Sequence, residues 1–180
     1  LLLSHGSTGE MANFDRYDLL ENITEACKQS PEWALSLIKE LAQANEWGSD
    51  LWNRAFQGLK ARSLSKDQCL LVLDTLKDEG LLKNKDVLVA DLLLSISRDN
   101  NNNFFKLGLS DHAHDLSCKL WNCISTGNTP SVSENWLGFS IHSSVGIVIN
   151  FWIMELLHHT KNTSNGQRSI PKKYKDLFEN

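Results

Sequence analysis

The side chains with the widest chemical range cluster late in the chain. His112, His114, Cys118 and Cys123 combine residue types that bind zinc. On a helix, His114 and Cys118 share a face at i and i+4, whereas His112 and Cys123 point elsewhere. Zinc needs four convergent ligands, or three and a water, and this spacing supplies two. A polar helix start followed by buried thiols is the simpler reading, so no metal or cofactor is expected. His158 and His159 end an apolar stretch, where a histidine near a helix C-terminus complements the dipole. The sequence poises no obvious carboxylate or nucleophile beside them, so a general base is not inferred. His142 lies between Ile141 and Ser143, where it either bonds the neighbouring backbone or serves a partner. The run Ser4-His5-Gly6-Ser7-Thr8-Gly9 imitates a phosphate loop but lacks the Lys-Ser/Thr ending and a preceding strand. No G-x-S-x-G, H-E-x-x-H or G-x-G-x-x-G motif occurs, and no catalytic residue is expected.

Two further groups suit contact rather than reaction. Lys161, Arg168, Lys172, Lys173 and Lys175 make the C-terminal end basic against Asp176 and Glu179. A solvated face is the default there, and contact with a phosphate backbone through Lys172 and Lys173 is the alternative. Six tryptophans are many for 180 residues. Five fall beside apolar positions at helical spacing and read as wedges between helices. Trp47 sits in the turn Asn45-Glu46-Trp47-Gly48, where it caps a hairpin or is presented at an interface.

The elements that must carry these residues read as helices throughout. After a linker-like start, Asp15 to Ser30 forms a first helix. Ser30-Pro31-Glu32 opens a second, with a Ser cap, a Pro whose missing N–H costs nothing, and an acid near the positive dipole end. Its apolar positions are Trp33, Ala34, Leu37, Ile38 and Leu41, and the third helix repeats that spacing with Leu51, Trp52, Ala55, Phe56 and Leu59. A fourth starts at Ser65, where Gln68 completes a capping box, and Gly80 is expected to stop it. Asn84 to Arg98 reads as a fifth helix, apolar on several sides. Asp99 and Asn100 to Asn103 form a loop, and Ser110 to Thr126 a sixth helix. Ser131 to Thr160 holds one long helix or two shorter ones, with Gly138 and the stretch Ser143 to Gly146 as the expected break or close-contact points. Ile170-Pro171 restarts a short terminal helix with Tyr174, Leu177 and Phe178 on one side.

Hydrophobic residues make up 41% and charged residues 22%, the composition of a globular chain. Eighteen basic against 22 acidic residues leave a net charge of −4, which disfavours a dedicated nucleic-acid or anionic-membrane binder. The most apolar run, Val145 to Leu157, is shorter than the roughly 20 residues a membrane helix needs, and Asn150 and Glu155 interrupt it. The four cysteines lack zinc-ribbon or redox spacing and read as reduced thiols in a cytoplasmic protein. The opening Leu1-Leu2-Leu3-Ser4, without an initiator Met or a signal-peptide core, reads as a cut from a longer polypeptide.

Several of these features occur in a shared order: Pro31-Glu32-Trp33, Ser49-Asp50-Leu51-Trp52, Ser65 with Gln68, Asn135-Trp136-Leu137, Ile141-His142, Gly146, Phe151-Trp152 and Ile170-Pro171 with Tyr174. Together they resemble an all-helical bacterial region that follows sirtuin-like domains in large proteins, many linked to anti-phage defence. The likeness spans about Arg16 to Asn180. Where that region is expected to carry an Asn-His-Pro-like stretch before the glycine, this chain has His142-Ser143-Ser144. The resemblance implies a helical scaffold or sensor segment, with any NAD-consuming activity in a separate domain and no catalytic residue carried over.

The expectation is therefore an all-α chain of antiparallel helical hairpins, stacked as a short HEAT/TPR-like solenoid or an irregular bundle. Residues 1–14 are a linker or the end of a preceding domain, and 15–180 form a single helical-repeat domain. Its function is expected to be non-enzymatic contact with another protein or another domain of the same chain, with Trp47, His142, Lys172 and Lys173 as interface candidates. Nucleic-acid binding through the basic C-terminal end is the alternative.

Overall fold

A computed structural model describes residues 10–98, 104–126 and 143–162 of the chain. Every regular element among them is a helix: α1 (Glu10–Gln29), α2 (Pro31–Gln43), α3 (Leu51–Lys60), α4 (Lys66–Thr75), α5 (Glu79–Asn84), α6 (Asp86–Arg98), α7 (Ser110–Thr126) and α8 (Ser144–Asn162). None of the described helices is long and apolar enough to cross a membrane. The chain divides into two compact units, one ending at Arg62 and the other beginning at Ser63.

In the first unit, α1, α2 and α3 contact one another. Ser30 accepts from the Trp33 N–H, and Pro31 occupies the first turn, so α2 begins one residue after α1 ends. The helix stops in a Schellman turn. Asn45, at φ 55°, takes the left-handed place usually held by glycine, its N–H donates to the Ala42 carbonyl, and the Glu46 N–H donates to Leu41. Cross-links then set the direction of α3. Arg16 pairs with Asp50, Arg54 with Glu21, and Arg62 donates to the final carbonyls of α1 at Lys28 and Gln29. Partner numbers rise together, so α1 and α3 run parallel and α2 brings the chain back between them.

The buried set is Ile23, Cys27, Ala34, Leu35, Ile38, Leu41, Trp52, Ala55, Phe56 and Leu59. Two expected positions change in α2, Leu37 being only half-buried. Trp33 is 42% exposed and Leu35 is buried instead, because α2 is rotated by about one residue from the face read from spacing. At the α1–α3 crossing Gly58 lets the backbones approach, since a Cβ there would lie 2.3 Å from the Cys27 Cβ.

The second unit opens with the capping box of Ser65 and Gln68, both halves of which form. Gly80 does not stop α4. The helix ends at Thr75, Asp78 caps a new helix by accepting from the Leu81 N–H, and Gly80 lies in the first turn of α5. A glycine is tolerated there because first-turn N–H groups have no intrahelical acceptor to lose. α6, α7 and α8 contact one another, with α4 and α5 also against α7. Ser144 donates to Asp86 and Arg98 approaches Met154, so α6 and α8 run parallel. α8 starts at Ser144, within the stretch Ser143 to Gly146 expected as a break or close-contact point, while Gly138 lies outside the described residues. The Gly146 N–H in the first turn of α8 donates to the Ser143 hydroxyl as that residue caps the helix. The buried side chains include Leu73, Leu76, Leu81, Leu92, Leu93, Phe104, Leu116, Leu120, Val148 and Phe151.

Candidate functional site

The most concentrated polar chemistry lies between α7 and α8. On α7 the residues are Ser110, His114, Ser117 and Cys118, which recur at helical spacing along one side. On α8 they are Trp152, Glu155 and His159, spaced by three and four. Ser110 faces the end of α8 and Trp121 faces Trp152, so the two helices are antiparallel.

Glu155 is the centre. It is completely buried, in a helix whose other neighbours are mainly apolar. Burying a carboxylate costs several kcal/mol unless hydrogen bonds and an opposite charge meet it. Here the Ser110 hydroxyl donates to Oε1, and His114 Nδ1 lies 3.0 Å from Oε2. His159 Nε2 lies 4.0 Å from Oε1 and 3.5 Å from the Ser110 oxygen. Hydrogen bonds to Cys118 and to Glu155 favour the cationic form of His114 and push it up to about 9, against the opposing effect of burial. His114 therefore carries a positive charge near neutral pH, and the carboxylate is met by a cation.

Contacts from Trp152 and Ser117 hold the His114 end of this pair. Trp152 Nε1 donates to the Ser117 hydroxyl at 2.7 Å, and that hydroxyl donates to the His114 carbonyl at 2.7 Å. The Trp121 and Trp152 rings pack 5.3 Å apart at 50°. His158 stacks on Phe105 at 4.6 Å, which separates its role from that of His159. Among the described residues, every fully buried side-chain nitrogen or oxygen has a hydrogen-bond partner.

This geometry limits the chemistry. In a Ser–His–acid relay the two ring nitrogens do different jobs, one holding the acid and the other the hydroxyl. Here the same nitrogen of His159 faces both Ser110 and Glu155, and the serine proton already lies toward the carboxylate. Among the described residues no group of three or more His, Cys, Asp or Glu is placed to hold a metal ion. His114 and Cys118 do share a face and are hydrogen-bonded, while His112 is exposed to solvent.

The structure adds a carboxylate that sequence reasoning left out. His159 was not expected to have one beside it, yet Glu155 lies one turn earlier on the same helix. The available signal was an acid inside the apolar run of α8 with a histidine four residues on. Trp47 is half-buried and stacks almost parallel on Trp52, with ring centres 5.4 Å apart and planes 9° apart. Trp52 itself donates to the Glu46 carbonyl at 2.8 Å, so the two indoles close the α2–α3 turn. His142, Lys172 and Lys173, like Trp136, lie outside the described residues.

No family model, curated protein sequence or solved structure matches this chain.

Proposed function

We propose that the chain is a non-enzymatic helical contact module that engages another protein or another part of its own polypeptide. The observation that carries this reading is a stripe on α8. Ile149, Ile153 and Leu157 recur every four residues and are 41%, 52% and 53% exposed. The opposite side of the same helix is held by the buried Glu155. A rigid helix with one face anchored and an apolar row outward is the usual form of a helix-mediated contact. The inward consumption of the Ser110, His114 and Glu155 hydrogen bonds supports a contact role over a catalytic one. The finer architecture proposed with it is hairpin stacking as a short HEAT/TPR-like solenoid or irregular bundle, supported by the alternating directions of α6, α7 and α8. Its proposed setting is a bacterial cytoplasmic protein of the defence-linked kind that the sequence resembles.

A photo-crosslinking residue at Ile153 in the full-length polypeptide, expressed in its own cells, tests the reading. One discrete adduct is expected, lost on Leu157→Asp and not formed from position Lys66 of α4. Absence of any adduct from Ile153, with the helical circular dichroism intact, refutes it.

A further inference from the structure

The outward row of α8 has a sequel in the chain that follows it. Ile149, Ile153 and Leu157 are all exposed, and the two nearer the C-terminal end of the helix are more exposed than Ile149. The chain leaves α8 at Asn162, and 163–180 lie outside the described residues. Their sequence predicts a second amphipathic piece. Ile170, Tyr174, Leu177 and Phe178 follow the 0, 4, 7, 8 spacing of one helical face, and Lys172, Lys173, Lys175, Asp176 and Glu179 fall outside that face. A helix of about nine residues is marginal in water and holds only against another surface. An exposed apolar row and a short apolar face that needs one therefore stand next to each other in the chain.

We infer that residues 170–178 fold back antiparallel along the outer face of α8 and cover Ile149, Ile153 and Leu157. The lengths match, since Ile149 to Leu157 and Ile170 to Phe178 each advance by the same number of residues, about 12 Å along a helix. The connection is long enough. Returning from Asn162 to a point beside Leu157, at the usual spacing of packed helices, takes about 13 Å, and the residues between reach about 23 Å when extended. A second copy of the chain is the poorer occupant, because three half-exposed side chains fall far short of the roughly 800 Å² per partner that a stable dimer buries. The inference rests on the contact reading and names the partner as the chain's own C-terminal segment. Another protein that uses this face must displace that segment.

The experiment places benzoylphenylalanine in turn at Ile149, Ile153 and Leu157 of the purified full chain and maps the adducts by peptide mass spectrometry after irradiation. All three positions are exposed, so the substitutions spare the core, and circular dichroism checks the fold. The expected adducts lie within one chain and keep an antiparallel order, with Leu157 joined to 170–174 and Ile149 to 177–178. Leu177→Asp together with Phe178→Asp should lower the Ile149 adduct by at least about tenfold, the loss expected when buried apolar side chains are exchanged for charges. The inference is overturned by the reverse order, by adducts that join two chains, by adducts to 127–142, or by none at all. It is also overturned by an Ile149 adduct that survives the double substitution. The contact reading fails separately, only when Ile153 also captures nothing in cells.

Discussion

Replacing Gly58 by alanine sets two effects against each other, and the structure decides between them. In a helix interior alanine is favoured over glycine by about 1 kcal/mol. At Gly58, however, the new methyl would meet the Cys27 Cβ at 2.3 Å and the backbone atoms Cys27 C and Lys28 N at 2.9 Å. Backbone atoms cannot swing aside, so α1 must move away from α3 by roughly 1 Å. Such a gap forfeits a quarter to a half of the dispersion well between facing atoms, and overpacking of this kind costs about 1–3 kcal/mol. The upper end applies because the obstruction is backbone. Cys27, Ala55 and Leu59, all fully buried at this crossing, lose contacts together. The net expectation is destabilisation by about 2 kcal/mol. With a urea slope of about 2 kcal/mol/M, the midpoint followed by tryptophan fluorescence should fall by about 1 M. Adding Cys27→Ala should not restore it, because alanine keeps the offending Cβ. Gly48→Ala is the control: nothing lies within 4 Å of its added methyl, and its midpoint should stay level or rise slightly. A Gly58→Ala midpoint equal to or above wild type refutes the close-approach reasoning.

Other perturbations address the second unit. His114 is raised from 6.5 in the unfolded chain to about 9 in the folded one. Its stabilisation is therefore present in full below pH 6.5 and lost as pH rises through about 9. Denaturant midpoints measured across that window should decline, and His114→Gln should flatten the decline; a midpoint that climbs with pH refutes the assignment. Ser65→Ala removes the oxygen that accepts from the Gln68 N–H and should cost about 1 kcal/mol in the same assay, whereas no change would mean that the capping box contributes nothing.

What could be read from sequence was what chain neighbours decide among themselves. Ser30-Pro31 and Ser65 with Gln68 start helices through groups three residues apart, and both starts form as expected. Ser110 to Thr126 is bounded as read. Gly80 misled because a glycine's meaning depends on whether it closes a helix or enters one, and Asp78 two residues earlier decided for entry. The face of α2 slipped because two overlapping rows, one through Trp33 and one through Leu35, satisfy the same period. Only packing against α1 and α3 selects between them. The polar cluster was the least legible part. His114 and Glu155 are 41 residues apart, and their meeting depends on the antiparallel register of α7 and α8, which no local spacing encodes. Ser110 was read as a helix start, and its bond to Glu155 depends on that same register.

The aromatic pairs give this chain an optical label for each half. The near-parallel indoles of Trp47 and Trp52 belong to the first unit, and the tilted Trp121 and Trp152 to the second. Emission from an indole responds to the ring and the polar groups beside it. Exchanging Trp47 and Trp52 together with Trp33, or Trp121 and Trp152 together with Trp136, for phenylalanine therefore leaves a chain whose fluorescence follows the other unit. Loosening at the α2–α3 turn and loosening at the joint around Glu155 then become separately visible in one cuvette, with no dye attached.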